Sequence, residues 1–245
     1  MFQSLGLIAQ RMRHMPLALI LVALAAALPH SAFAAMSAED EEDNRPPVRL
    51  IIGLDLSRSN PLVDSDAYAA KAADLIANEI KDLPLASKVM IRTFGSYKGS
   101  VNNLRIDRDI SSAGDEKPAA VADLVRQIVA NVPKLVRDGT LEAQNQTNIV
   151  PFLENMSEFV DCGEMDATVI LISDGIEDSE YARLVNRDES LPTPDSGLYG
   201  GCSQLEIVGL GQGTNSPSLT EHLRAEWEDW AKAAGFKNFD GFNEW

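Results

Sequence analysis

The chain has 245 residues, of which 45% are hydrophobic and 24% charged, as expected for one folded domain of ordinary size. Its 37 acidic residues outnumber 21 basic ones, so the formal net charge is −16 at pH 7. A surface this acidic repels nucleic acid and anionic lipid, and it suits a protein that holds cations or contacts basic partners.

The first 34 residues have the three parts of a secretory signal peptide. A basic segment with Arg11 and Arg13 precedes an unbroken apolar run at 17–28, and small residues flank position 33, so cleavage is expected after Ala34. The run is shorter than the roughly 20 apolar residues of a membrane span, although an uncleaved anchor is the alternative. Cleavage removes two basic residues and no acidic one, which changes the net charge to −18. We therefore expect a periplasmic protein, or alternatively a secreted one.

Residues 35–47 are acidic and polar and end in two prolines, which predicts a linker before a folded domain at 48–245. Strand patterns and helix patterns alternate along this domain. Strands are predicted at 48–56, 88–95, 103–110, 167–175 and 204–211. Helices are predicted at 66–83, 117–139, 149–160 and 216–234, and Pro133 must kink or end the second of them.

This alternation predicts an α/β fold, a doubly wound and mainly parallel sheet with helices on both faces. The segments 48–56 and 167–175 are apolar throughout, as in strands buried on both sides. Segment 103–110 alternates polar and apolar residues and is expected to be one antiparallel edge strand. The last ten residues, FKNFDGFNEW, are either a short edge strand with Phe236 and Phe239 covering the sheet edge, or an exposed docking tail.

Two strongly apolar strands end in an acidic residue, the first at Asp55 and the other at Asp174. The carboxyl ends of parallel strands lie at one edge of the sheet, where such folds bind ligands, so the two carboxylates are expected there together. Ser57 and Ser59 follow Asp55 at alternate positions, which points their hydroxyls the same way. Two acids and two hydroxyls at one edge form a hard-oxygen site suited to Mg²⁺, Mn²⁺ or Ca²⁺.

Three segments, DLSRS at 55–59, QTNIV at 146–150 and LISDG at 171–175, together resemble the metal-ion-dependent adhesion site of von Willebrand factor type A (VWA) domains. The order of the segments and their placement on strands and loops match that family from residue 48 to the end of the chain. The resemblance implies a VWA fold and a cation whose coordination is completed by a carboxylate from a protein partner. The sequence does not choose between Mg²⁺, Mn²⁺ and Ca²⁺, although hydroxyl-rich octahedral sites in general favour Mg²⁺. It assigns hydroxyl ligands to Ser57, Ser59 and Thr147, and acidic ligands to Asp55 and Asp174.

Each segment also has an ordinary structural explanation. Asp55 could be a helix N-cap followed by turn serines, and Asp174 with the next glycine could form a simple turn. The domain could also keep the ligands without using a metal for function. Glu177 and Asp178 could adjust the rim of the site or hold a second cation, or they could be a solvated helix start.

Cys162 and Cys202 are the only cysteines, and in an oxidising compartment they are expected to form one disulfide, with two free thiols as the alternative. Each lies shortly before a predicted strand, so the bridge is expected at the amino-end edge of the sheet, opposite the metal, with a structural role. Residues 186–201 between them read as a loop that either contacts a partner or is slack.

Catalytic motifs are scarce in this sequence. His222 lies on a charged helix away from the predicted site, and no Ser-His-Asp set, zinc motif or phosphate loop is present. We therefore expect no enzyme but an exported protein-binding module that engages a protein partner through the cation, with no nucleic acid and no stable membrane span. The alternatives are a structural subunit of an envelope assembly whose cation only stabilises the fold and, less favoured, a metal-dependent hydrolase.

Overall fold

The structure is a computed structural model that describes residues 44–96, 104–214 and 216–245. The strands of this part are β1 (Arg49–Asp55), β2 (Lys88–Phe94), β3 (Arg105–Asp109), β4 (Ala167–Ile172), β5 (Gln204–Val208) and β6 (Asn238–Phe242). The helices are α1 (Asp66–Lys81), α2 (Pro118–Ala130), α3 (Val132–Arg137), α4 (Ile149–Ser157) and α5 (Pro217–Ala234), with short 3₁₀ turns at Pro61–Val63 and Gly114–Glu116. The predicted signal peptide at 1–34 and the linker up to residue 43 lie outside the described residues.

The six strands form one mixed sheet in the order β3-β2-β1-β4-β5-β6. Four of the pairings are parallel, and β3 alone pairs antiparallel, with β2 at one edge. The predicted α/β class and the antiparallel edge strand are therefore confirmed. The last segment is a strand too, since β6 closes the opposite edge parallel to β5, and Phe236 just before it is buried.

Both faces of the sheet are covered by helices, because the central strands bury alternate side chains on opposite sides. In β1, Leu50, Ile52 and Leu54 pack with α1, α2 and α3, whereas Ile51 packs on the other face with α4 and α5. The long predicted helix is broken as expected at Pro133, which lies in the first turn of α3, where its missing N–H has no helical partner to lose. None of the described helices is long and apolar enough to cross a membrane.

The connection between β4 and β5 is coil rather than helix, yet it is packed. Ala182, Leu184 and Tyr199 are buried in the same core as α4 and α5. The Tyr199 hydroxyl donates to the Leu153 carbonyl of α4 at 2.6 Å, and a carboxylate of α5 accepts from the Leu191 N–H at 2.8 Å. Residues 186–201 are therefore not slack, and their contact with a partner stays a prediction.

The two cysteines form the expected disulfide. Cys162 precedes β4 and Cys202 precedes β5, and these strands are parallel neighbours, so the bridge lies at the amino ends of both strands. The predicted placement opposite the candidate site is confirmed.

Candidate metal centre

The sheet topology brings the two motif aspartates together. The chain passes from β1 to β2 on one side and later returns to β4 on the other side of β1, so the strand order reverses between β1 and β4. Asp55 is the last residue of β1, and Asp174 follows β4 by two residues. Both side chains have no exposed surface. Ligands of open α/β sheets bind at the carboxyl ends of strands at such a switch point.

The motif segment that contains Thr147, together with the residues just before it, is connected to both of these strand ends by backbone hydrogen bonds. The Gln144 N–H donates to the Leu56 carbonyl at 2.7 Å, and the Arg58 N–H donates back to the Gln144 carbonyl at 2.9 Å. Three residues later, Thr147 and Asp178 exchange N–H···O=C bonds of 3.2 and 2.9 Å. Residues 144–147, at the start of this segment and just before it, therefore join the loop after β1 to the loop after β4, which brings the three predicted segments together.

Asp55 is held by hydrogen bonds but remains in an unfavourable electrostatic setting. Its Oδ1 accepts from the Ser57 N–H at 2.7 Å, and its Oδ2 accepts from the Ser173 hydroxyl at 2.7 Å. Burial, and next the charge of Asp174, raise the pKa of Asp55 from 3.8 to about 7, against the opposing effect of these hydrogen bonds. The Asn60 amide donates to the carbonyls of Asp55 and Ile172, both at 2.9 Å, which fixes the two strand ends relative to each other.

Asp174 is less satisfied than Asp55. Its Oδ1 accepts from the Ile176 N–H at 2.9 Å, whereas its Oδ2 is buried and has no hydrogen-bond partner among the described residues. Burial raises its pKa, and the nearby Ser59 hydroxyl and the Ile176 N–H act in the opposite direction. Gly175 gives the sharp turn that follows, with φ at 74° and no room for a Cβ beside Leu210.

The hydroxyl groups complete an oxygen-rich cluster. Ser57 is 2% exposed and Thr147 is 3% exposed, while Ser59 is open to solvent. The hydroxyl oxygens of Ser57 and Ser59 lie 3.2 Å apart, so both point the same way, as the alternate spacing predicts. No group of three or more His, Cys, Asp or Glu side chains in the described residues could hold a metal. Any cation here would be held by two carboxylates and neutral hydroxyls, a donor set that fits hard cations.

The ordinary explanations account for part of this geometry only. Asp55 is not a helix N-cap, because Ser65 caps α1 by accepting from the Tyr68 N–H at 3.2 Å. Asp55 and Asp174 each use one oxygen to accept a backbone N–H two residues on, as turn residues do. The second oxygen of Asp174 is left over after this turn role is fulfilled.

Sequence reasoning missed the roles of two residues that shape the site, and it left the role of a third open. Ser173 donates to the Asp55 carboxylate, and Asn60 donates to the backbone carbonyls at the ends of β1 and β4. The sequence signal that could have identified them is their position, since each is a small polar residue directly beside a motif aspartate or serine. Glu177 was predicted to adjust the rim, to hold a second cation or to be solvated in a helix start. No helix begins there and its side chain has no exposed surface, so the last of these is wrong. Asp178 is half-buried and belongs to the backbone link with Thr147.

The surroundings of the site are open and carry apolar side chains. Beside the Ser57–Ser59 turn runs a groove of about 660 Å³ whose lining includes Arg58, Val63 and Leu141. On the loop after β4, Tyr181 is 47% exposed and Val185 is 59% exposed. The turn that carries Ser57 and Ser59 thus borders a surface groove, and the loop that follows Asp174 carries exposed apolar side chains.

No family model matches the chain, and neither does any curated protein sequence. Among solved structures, the SpaC pilus adhesin of Lactobacillus rhamnosus GG matches 83% of this chain at 14% identity and a TM-score of 0.47. Proximal thread matrix protein 1 of the mussel byssus matches 82% at 14% identity (TM-score 0.45), and a mutant of the PilB minor pilin of Streptococcus sanguinis matches 84% at 10% identity (TM-score 0.45). The matches span 29%, 44% and 59% of the adhesin, the thread matrix protein and the pilin. Likenesses this remote carry no argument about function.

Proposed function

We propose that the chain is an exported VWA-type protein-binding module that engages its partner through a divalent cation, Mg²⁺ first and Mn²⁺ or Ca²⁺ as alternatives. The observation that carries this proposal is the buried oxygen of Asp174, which has no hydrogen-bond partner in the described structure, beside a second buried carboxylate. The proposed ligands are Asp55, Ser57, Ser59, Thr147 and Asp174.

The electrostatics of the pair support a cation at this place. Two buried carboxylates destabilise the fold when both are charged: burial first, and the charge of Asp174 second, raise the pKa of Asp55. A divalent cation between them removes the repulsion and gives the free oxygen of Asp174 a ligand role. Because the other proposed ligands are neutral hydroxyls, such a cation keeps affinity for a further carboxylate from outside.

A protein partner is favoured over a small molecule by what surrounds the site. Exposed Tyr181 and Val185 lie on the loop that is bonded to Thr147, and exposed aromatic side chains are typical contacts in protein interfaces. Among the described residues, the groove beside the site is an open one lined by charged as well as apolar side chains, unlike the enclosed apolar cavities that hold small ligands. The strongly acidic chain repels an acidic partner at long range, so the cation would have to supply the local attraction.

Export is proposed from the amino-terminal sequence and from the disulfide. A disulfide that closes a long loop persists in oxidising compartments and is rare in reducing ones. A periplasmic location is proposed first, with secretion as the alternative.

The test is a pull-down from a cell-envelope extract with the chain as bait, in Mg²⁺ and in EDTA. Two variants are run in Mg²⁺: Asp174→Ala, and as a matched control Asp123→Ala, which removes an exposed acid on α2. We expect a partner that is retained by the wild type and the control in Mg²⁺ and is lost in EDTA and with Asp174→Ala.

Other outcomes would replace the proposal. Partners retained equally in all lanes would mean that the cation does not gate binding, and they would favour the structural-subunit alternative. Turnover of a phosphoester or peptide panel by the wild type, lost in Asp174→Ala, would favour a metal-dependent hydrolase.

A further inference from the structure

Glu177 is a fully buried carboxylate outside the five proposed ligands. It lies three residues beyond Asp174 on the loop after β4, with no exposed surface. Its Oε2 accepts from the Ile149 N–H at 2.7 Å and from the Val150 N–H at 3.0 Å. These are the first two residues of α4, so a residue from a distant part of the chain satisfies the start of this helix.

No side chain next to the start of α4 accepts a hydrogen bond from these N–H groups. Asn148 occupies the N-cap position of α4 but makes no side-chain cap bond, and its amide donates instead to the Gly95 carbonyl beyond β2. Glu177 thus supplies the missing acceptor and also places a negative charge at a helix N-terminus, where it is favourable.

This bond ties together the two loops that carry Thr147 and Asp174. Thr147 lies two residues before Ile149, and its backbone exchanges two hydrogen bonds with Asp178, the neighbour of Glu177. The carboxylate and the backbone pairing therefore make four hydrogen bonds between the start of α4 and the loop after β4. Without the carboxylate, two of these four hydrogen bonds, the backbone pairing at 147 and 178, would remain to hold Thr147 in register with Asp174.

The side chain is costly in itself. Its Oε1 is buried and makes no hydrogen bond of ordinary geometry among the described residues. Burial raises the pKa of this carboxyl to about 7, although the nearby Ser179 hydroxyl and the two N–H groups of α4 act in the opposite direction, so its charged form destabilises the fold. A neutral N-cap residue could accept the same N–H groups of α4 without the free-energy cost of burying a charged carboxylate. This cost favours a role in geometry over a role in stability alone.

We propose that Glu177 is a positioning residue for the cation site: by binding the start of α4, it sets the distance between the Thr147 hydroxyl and the Asp174 carboxylate. Glu177 itself is not a ligand in this proposal. The inference rests on the proposed function, since it takes these two residues to hold a cation.

The test measures the Kd for Mg²⁺ by titration calorimetry at 10 °C, with folding of each variant checked by near-ultraviolet circular dichroism. Glu177→Gln keeps an oxygen for the two N–H groups, and its Kd is expected within about threefold of the wild type. Glu177→Asp is too short to reach both groups, and Glu177→Ala removes the acceptor. Both are expected to weaken Mg²⁺ binding about 10- to 100-fold, as loss of residues that orient metal ligands does.

Tyr199→Phe is the matched control. It removes a buried hydrogen bond of 2.6 Å to the same helix, at the Leu153 carbonyl and away from Thr147. It is expected to lower the melting temperature without changing the Kd. If Glu177→Ala does not fold, Glu177→Asp decides.

Each other result overturns the inference in a distinguishable way. Unchanged Mg²⁺ binding in Glu177→Asp and Glu177→Ala would show that the residue acts on stability only. Equal weakening in Tyr199→Phe would show a general effect of helix packing, and weakening in Glu177→Gln as large as in Glu177→Ala would show that charge matters and position does not. No binding by the wild type would refute the proposed function itself.

Discussion

Acidic side chains at the two ends of the parallel strands differ in how fully they are hydrogen-bonded. At the amino end, Asp166 accepts from the N–H groups of Ala167 and Ser203 at 2.8 and 2.9 Å, and from the Ser203 hydroxyl, beside the disulfide. At the carboxyl end, Asp55 and Asp174 are buried side by side, the pKa of each is raised, and one oxygen of Asp174 is unpartnered.

This difference indicates that the amino end of the sheet serves as scaffold and that the carboxyl end holds the candidate site. Asp166 at the amino end has its partners within the chain and lies beside the disulfide, so that end contributes stability without any ligand. The carboxyl end carries an electrostatic cost that the chain does not remove, as functional sites do. Changes at the amino end should therefore lower stability without changing cation binding. Changes at the carboxyl end should weaken cation binding, and those that remove one of its two charges should raise stability rather than lower it.

The largest effect is expected from removal of the disulfide. A Cys162→Ser/Cys202→Ser double variant frees a loop with a sequence separation of 40 residues, and it should lower the free energy of unfolding by about 3–4 kcal/mol. Urea unfolding measures this loss. The Kd for Mg²⁺ should stay within about twofold, and a large change in it would break the separation of the two ends.

The next effect is the pH dependence of cation binding. Without a cation, Asp55 has a pKa of about 7, so protons compete with Mg²⁺ below that value. Burial raises the pKa of Asp174 as well, so the Mg²⁺ affinity should weaken as the pH falls, by about tenfold or about 1.4 kcal/mol per pH unit for each proton that the cation displaces. Calorimetric titrations at pH 5.5, 7 and 8.5 measure it, and an affinity independent of pH would contradict it.

A smaller effect is expected when the charge repulsion is removed. Asp174→Asn keeps an oxygen for the Ile176 N–H but removes the charge that raises the pKa of Asp55. In EDTA at pH 8 this variant should be more stable than the wild type by about 1–2 kcal/mol, although it damages the site. Urea unfolding with EDTA tests this, and lower stability of the variant would show that the carboxyl end is not under electrostatic strain.

The smallest effect concerns Glu206, a half-buried acid of β5 away from the motif residues. Burial, and then Glu79 and Asp240, raise its pKa from 4.5 to about 7. The unfolded chain therefore loses this proton above pH 4.5 while the folded chain keeps it, so stability falls from about pH 4.5 to 7 and stays reduced above. Because Glu206 is partly exposed, Glu206→Gln should raise the free energy of unfolding by only about 1 kcal/mol at pH 8 and should not change it at pH 4. Equal gains at both pH values would refute this cause.

The fold was predictable because its strongest signals are local. The apolar runs of β1 and β4, the alternation in β3 and the helical spacing of α1 and α5 needed no tertiary information. The positions of Asp55 and Asp174 followed from the rule that parallel strands end at one edge. The same rule predicted that the disulfide lies at the opposite edge, because each cysteine precedes one of two neighbouring parallel strands.

The remaining features depend on tertiary contacts. The capping of α4 by Glu177 joins residues 28 positions apart, and the sequence around Glu177 is equally typical of a solvated acidic turn. The packed coil at 186–201 was unpredictable because its anchors, Leu153 and Glu226, lie on two different helices. Ser173 was overlooked because a serine at a strand end usually marks only a turn.

The most direct test of a cation at the carboxyl end is a Mg²⁺ titration of the EDTA-stripped chain at pH 8, followed by calorimetry and by the melting temperature. Asp174→Asn and Thr147→Val, which replaces a hydroxyl by a methyl group, are titrated beside the wild type. We predict saturable binding at one site and a raised melting temperature for the wild type, with both lost in Asp174→Asn and weakened in Thr147→Val. Absence of binding by the wild type, or equal binding by all three proteins, would contradict the proposed site.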